Sequence, residues 1–133
     1  MNVVDSSGWL EYLSDGANAD FFAPLIEDEE NLVTPTICIY EVFKRVLGEL
    51  GEERALDAVG TLLRGNVVEL SQQEAIEAAR LSVQSKLAMA DSIILATARA
   101  YQATLWTQDA HFKDIEGVRY IDPQLYTGQF ELT

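Results

Sequence analysis

The sequence predicts one α/β domain with a central parallel sheet of four to five strands and helices on both faces. Short apolar runs typical of buried strands alternate with longer segments of helical periodicity, and this alternation favours a parallel sheet. A chain of 133 residues has the size of a single domain, so we assign residues 1–133 to one domain. The composition, 48% hydrophobic and 23% charged, is that of an ordinary globular protein.

Short runs of apolar residues bounded by turn residues predict the strands. Valine and isoleucine, which favour extended structure, recur in these runs. In chain order the predicted strands lie at Val3-Val4, Leu32-Val33, residues 67–70, Leu105-Trp106 and residues 118–121.

Helical periodicity and capping residues predict the helices between these strands. Asp5-Ser6-Ser7 supplies N-cap residues for the first helix, and Ser71 with Glu74 forms a capping box. The predicted helices cover residues 8–14, 18–29, 36–50, 51–64, 71–85 and 91–101. The last of these is nearly all apolar, so we expect it to be central.

The charge and the cysteine content limit the compartment and the partners. Nine basic and 22 acidic residues give a net charge of −13, which should steer a polyanion poorly and favours a basic protein partner. The single cysteine, Cys38, cannot form an internal disulfide, which is typical of a reducing compartment, so we expect the cytoplasm. The first residues have no basic n-region, so we expect no secretory signal, and no apolar run approaches the ~20 residues of a membrane span.

Four carboxylates fall where the predicted fold would bring them to one edge of the sheet. Asp5 and Asp109 each follow a predicted strand, Asp91 opens the apolar helix, and Glu41 lies within an earlier helix. In open parallel sheets, ligands bind beyond the carboxyl ends of the strands. Carboxylate oxygens are ligands for Mg²⁺ or Mn²⁺, so the pattern predicts a site for a hard cation.

Each of these acids also has a simpler interpretation. Asp5, Asp91 and Asp109 precede predicted helices and could act as N-caps, although a capping carboxylate can still bind a metal through its second oxygen. Glu41 lies opposite the apolar stripe of its helix, which favours exposure to solvent, whereas Ile37 on the same face indicates partial cover.

Basic residues near these acids are weaker candidates. Lys44, Arg45 and Lys86 could contact a substrate phosphate, but exposed ion pairs and surface lysines are the simpler interpretation. His111 could act as a general base, yet a lone histidine in a loop is more often structural, so we leave it out of the predicted site.

Four short segments carry these acids, and their order and spacing identify a family. The segments are Val3-Val4-Asp5-Ser6-Ser7, Tyr40-Glu41-Val42, residues 87–94 and residues 106–112. Over about residues 2–123 the chain resembles the PIN-domain family, specifically the VapC-type toxins of toxin–antitoxin pairs. In that family the residues that match Asp5, Glu41, Asp91 and Asp109 form an acidic site for Mg²⁺ or Mn²⁺. Thr107 and Ser6 match hydroxyl positions near it.

The resemblance implies a Mg²⁺- or Mn²⁺-dependent endoribonuclease that is the toxin of a type II toxin–antitoxin pair. The implied catalytic residues are Asp5, Glu41, Asp91 and Asp109. Of these, Asp5, Asp91 and Asp109 would bind the metal, which activates a water, and Glu41 would position or deprotonate that water. The supporting residues are Ser6 and Thr107, which the resemblance implies, and Lys44 and Lys86, which stay weaker candidates from the sequence itself. A homodimer and an antitoxin whose basic tail enters the acidic cleft are also implied.

Two alternatives of another class remain open. The first is a signalling or binding module on a flavodoxin-like fold, such as a receiver domain, which also places acids at strand ends and binds Mg²⁺. A receiver domain needs an aspartate at the end of its third strand and a lysine after its fifth, whereas Glu69-Leu70-Ser71 ends the third strand here. The second alternative is a PIN-like scaffold that binds RNA or protein without cleavage.

Overall fold

The structure, a computed structural model, describes residues 1–123 and contains five strands and six α-helices in that range. The strands are β1 Asn2–Val4, β2 Val33–Pro35, β3 Asn66–Val68, β4 Thr104–Thr107 and β5 Val118–Tyr120. The helices are α1 Ser6–Leu13, α2 Ala19–Glu27, α3 Thr36–Leu50, α4 Glu52–Leu62, α5 Gln72–Ser85 and α6 Met89–Ala100. Each predicted element is found close to its predicted place. The predicted domain, 1–133, also includes residues 124–133, which lie outside the described residues.

The main sheet is smaller than predicted. It has three parallel strands in the order β1-β4-β5, rather than four to five, and β2 and β3 form a separate parallel pair. A single bridge between Asn2 and Leu32 connects the two sheets. Strands β1 and β2 have only three residues each, and within residues 1–123 their pairing does not extend beyond that bridge.

The main sheet is covered on both faces, as predicted. Val3 and Val4 are both 0% exposed. Because consecutive strand residues point to opposite faces, burial of both valines requires cover on each side. Helices α1 and α2 contact β1, and α6 contacts β4.

Helix α6 is central, as its apolar sequence predicted. Its buried residues include Ser92, Ile94, Leu95, Ala96, Thr97 and Ala98. This burial fixes the backbone that carries Asp91 in the first turn. At 12 residues α6 is short, and no helix within residues 1–123 has the length and apolar character needed to cross a membrane.

The parallel register places the ends of β1 and β4 side by side. Val4 is paired with Trp106, and the Asp5 N–H donates to the Trp106 carbonyl at 3.2 Å. The residues that follow the two strands therefore meet at the edge where ligands of open parallel sheets bind.

Gly8 gives a test of packing near this edge. A Cβ at Gly8 would lie 2.6 Å from Val4 Cγ1 and 2.7 Å from Phe22 Cε1, and both side chains are fully buried. We expect Gly8→Ala to lower the free energy of unfolding by about 1–3 kcal/mol, because the core has no room for the methyl group.

The matched control is Gly48→Ala in α3, where an added Cβ has no heavy atom within 4 Å. This control should raise the free energy of unfolding by about 0.5–1 kcal/mol, since alanine favours a helix. Urea unfolding measures both variants. A Gly8→Ala protein as stable as the wild type would contradict the packing around α1.

Candidate metal centre

Asp5 follows β1 and acts as the N-cap of α1. Its Oδ1 accepts hydrogen bonds from the Gly8 N–H at 3.0 Å and the Ser7 hydroxyl at 2.8 Å. Its Oδ2 accepts a hydrogen bond from Thr107 Oγ1 at 2.7 Å. The side chain is buried, so three donors fix Asp5 at the floor of the candidate site. The N-cap interpretation of Asp5 is therefore correct.

Thr107 connects Asp5 to Asp109 at the end of β4. The same Thr107 oxygen that donates to Asp5 accepts a hydrogen bond from the Asp109 N–H at 2.9 Å. Asp109 Oδ1 accepts from the His111 N–H at 2.9 Å, which caps the 3₁₀ turn Ala110–Phe112. Asp109 is thus also an N-cap, and the Thr107 hydroxyl lies between Asp5 and Asp109.

Glu41 faces the same group of acids. The Ser6 hydroxyl donates to Glu41 Oε1 at 2.6 Å, and Glu41 is half-buried in α3. Ser6 is the residue after Asp5, so this hydrogen bond brings α3 against the start of α1. The interpretation of Glu41 as an exposed glutamate is therefore wrong, and Ser6 contacts the acidic group as predicted.

His111 lies close to both Asp91 and Asp109. Asp91 is the third residue of α6, whose N-cap is Ala88, so the N-cap interpretation of Asp91 is wrong. His111 Nδ1 lies 3.9 Å from Asp91 Oδ2 and 3.1 Å from Asp109 Oδ1. The sequence argument left His111 out. The signal that could have found it is its place two residues after Asp109, in a turn that Asp109 itself caps.

The four predicted acids come together through one continuous series of neighbours. Each member has a polar atom within 4 Å of the next, or follows it in the chain. The series is Glu41, Ser6, Asp5, Thr107, Asp109, His111 and Asp91.

The two predicted supporting lysines are not members of this series. Lys44 is exposed, and its Nζ lies 5.6 Å from the centre of the Tyr40 ring. Lys86 is exposed at the end of α5, with φ 56°. Within residues 1–123, neither lysine forms a hydrogen bond or an ion pair with one of the four acids.

Burial and mutual repulsion favour the protonated forms of two of the acids. Burial raises the pKa of Asp5 to about 7, although the hydrogen bonds from Thr107, Gly8 and Ser7 oppose this rise. Burial also raises the pKa of Asp91 to about 6, and the negative charges of Asp109 and Glu41 add to the rise. A cation at this place would favour the ionised forms of both carboxyl groups.

Three side chains offer ligand atoms close enough to share one cation. One atom each from Asp91, Asp109 and His111 lies within 4.8 Å of the other two. Asp5 is not a member of this compact group. Two carboxylates and an imidazole are a reasonable donor set for a divalent metal ion.

The fold and the site define a small α/β protein with an acidic centre at the carboxyl edge of a parallel sheet. The chain belongs to the PIN domain family, whose sequence model matches residues 3–118. A comparison with curated protein sequences finds no match.

Solved structures of toxin–antitoxin proteins share this fold. A toxin–antitoxin complex from Klebsiella pneumoniae is 26% identical, with a TM-score of 0.73, over 90% of this chain and 96% of that one. A VapBC complex from Rickettsia felis, bound to promoter DNA, is 16% identical, with a TM-score of 0.70, over 91% of this chain and 97% of that one. A VapC toxin from Mycobacterium tuberculosis that cleaves the sarcin-ricin loop is 15% identical, with a TM-score of 0.71, over 87% of this chain and 95% of that one.

The raised pKa values predict how stability depends on pH. With a chelator present, the folded state holds protons on Asp5 and Asp91 that the unfolded state releases near pH 4. The free energy of unfolding should therefore fall as the pH rises from about 4 to 7.5, because ionisation of these groups favours the unfolded state.

Asp5→Asn keeps the N-cap acceptor and removes the ionisation. We expect this variant to lack roughly 3–4 kcal/mol of the wild-type fall, which is the part of the effect of raising the Asp5 pKa from 3.8 to about 7 that falls between about pH 4 and 7.5. Chemical unfolding across this pH range measures both proteins. Equal pH dependence in the two would show that Asp5 does not titrate in this way.

Proposed function

We propose that this protein is a Mg²⁺- or Mn²⁺-dependent endoribonuclease that acts as the toxin of a type II toxin–antitoxin pair. The observation that carries the proposal is the continuous series of neighbours that joins Glu41, Asp5, Asp109 and Asp91. Membership of the PIN domain family supports it, as does the similarity to toxin–antitoxin structures.

In this proposal Asp5, Asp91 and Asp109 hold the cation. Asp91 and Asp109 already present oxygens within one small volume. Asp5 is buried and accepts three hydrogen bonds. A carboxylate can accept about four hydrogen bonds or metal bonds, so Asp5 keeps the capacity to bind a metal. A divalent cation bound there offsets the negative charge of the scissile phosphodiester and lowers the pKa of a neighbouring water.

Glu41 is the proposed base. The hydrogen bond from Ser6 holds Glu41 Oε1, which leaves Oε2 to accept a proton from the attacking water. Thr107 acts through its neighbours, since one hydroxyl fixes both the Asp5 carboxylate and the Asp109 backbone. These residues orient the reacting groups, and the proton released by the water passes to a carboxylate that is already in place.

The net charge of −13 is the main obstacle to an RNA substrate. Bound cations reduce the local repulsion at the acidic centre, and the same negative field attracts a basic peptide. An antitoxin with a basic tail is therefore the proposed partner, and a homodimer in the cytoplasm completes the proposal.

A nuclease assay tests the acidic centre. With labelled RNA and Mn²⁺, we expect the wild type to cut and Asp91→Asn to lose at least about a hundredfold of the rate, because a proposed metal ligand is gone. A chelator should stop the wild type as well.

Asp57→Asn is the matched control, since Asp57 is an exposed aspartate in α4. This variant should cut RNA at the wild-type rate. Thermal unfolding, monitored by circular dichroism, should show that the wild type and both variants fold. Full activity of Asp91→Asn would remove Asp91 from the site. A folded wild type that cuts no RNA with Mn²⁺ would favour the non-cleaving binding module.

A peptide assay tests the proposed partner. A short arginine-containing peptide should bind at low salt and inhibit cleavage, whereas the same peptide with glutamine in place of arginine should do neither. Binding should weaken as salt rises, because the Debye length falls to about 8 Å at 0.15 M. Calorimetry measures the affinity, and equal binding of the two peptides would contradict an electrostatic mode of inhibition.

A further inference from the structure

His111 is the one histidine in the chain, and neither the sequence argument nor the proposed mechanism gives it a role. Its side chain is 77% exposed, so core packing does not explain why the ring lies against two carboxylates. We propose that the imidazole of His111 is a direct ligand of the divalent cation, together with Asp91 and Asp109. This inference rests on the proposed function because it takes the proposed cation site as its starting point.

The distances around His111 fit a shared ion. Metal bonds to nitrogen and oxygen are about 2.0–2.2 Å long, so two ligands of one ion lie about 3 Å apart when adjacent and about 4.2 Å apart when opposite. His111 Nδ1 lies 3.1 Å from Asp109 Oδ1 and 3.9 Å from Asp91 Oδ2, within that interval. The ligand atoms of all three side chains lie within 4.8 Å of one another, so a small inward movement brings them to one cation.

The turn that carries His111 is itself fixed. The His111 backbone N–H donates to Asp109 Oδ1 at 2.9 Å, and Phe112, the next residue, is fully buried. The 3₁₀ turn therefore fixes the backbone from which the His111 ring extends. A cation held at this place would be bound by Nδ1, which faces both carboxylates.

A nitrogen ligand changes which metal the centre prefers. Mg²⁺ favours oxygen ligands, whereas imidazole binds transition metals well, and affinity rises along the series from Mn²⁺. The ratio of the affinity for Mn²⁺ to the affinity for Mg²⁺ should therefore be higher for a centre of two carboxylates and one imidazole than for a centre with oxygen ligands alone.

Pulsed electron paramagnetic resonance of the Mn²⁺-loaded protein tests this inference directly. Directly bound imidazole gives a ¹⁴N coupling, and in an untagged chain with one histidine that coupling can come only from His111. We expect the coupling in the wild type and its loss in His111→Asn. The Kd for Mn²⁺ should rise at least about tenfold in this variant, and the Kd for Mg²⁺ should change less.

Lys113→Gln is the control, because Lys113 is an exposed neighbour in the same loop. It should keep both the ¹⁴N coupling and the Mn²⁺ affinity. The His111→Asn substitution leaves the backbone cap on Asp109 in place, and circular dichroism verifies that the variant folds.

The outcomes separate this inference from the nuclease proposal. Bound Mn²⁺ without ¹⁴N coupling overturns the inference, and so does an unchanged Mn²⁺ affinity in His111→Asn, while RNA cleavage that depends on Asp91 would leave the nuclease proposal standing. A clear ¹⁴N coupling in a protein that cuts no RNA supports the ligand and refutes the nuclease. A wild type that binds no Mn²⁺ overturns both the inference and the metal dependence.

Discussion

The hydrogen bond from Thr107 to Asp5 ties the carboxyl ends of β1 and β4 together, and the rest of the site is arranged around it. Because the strands are parallel and in register, Asp5 and Thr107 arrive at the same edge of the sheet. The Thr107 oxygen then fixes the Asp109 backbone, and the turn after Asp109 carries His111 toward Asp91. One hydroxyl between two strand ends thus sets the relative position of residues that lie far apart in the chain.

The clustered carboxylates destabilise the folded protein when they are ionised, and the hydrogen bonds around them offset this destabilisation only in part. Three donors stabilise the ionised form of Asp5, yet burial outweighs them and raises its pKa. Asp91 is similarly affected, and the charges of Asp109 and Glu41 increase the effect. A divalent cation would stabilise the ionised forms of these carboxyl groups in the folded state. The same clustered carboxylates that destabilise the metal-free protein therefore suit it to bind a metal.

The sequence placed Asp5 and Asp109 near each other because strand ends and caps leave local signals. Asp5 and Asp109 each follow an apolar run, and parallel pairing is enough to place them together. Glu41 was ambiguous, since a helical wheel cannot show that Ser6 would cover its face. His111 was considered and left out, because the sequence does not show that its ring would lie near both Asp109 and Asp91. The width of the sheet was overestimated for a related reason: each strand was recognised, but three-residue strands do not show which neighbours will pair.

Asp5 and Asp109 each cap the helical turn that follows them, and each also offers oxygens to a ligand. Loss of such an acceptor costs a helix about 1 kcal/mol when alanine replaces it, and much less when asparagine or serine does. A related protein without the proposed activity would therefore tolerate only a few substitutions at these two places. It should carry another short polar residue there, such as asparagine in place of aspartate.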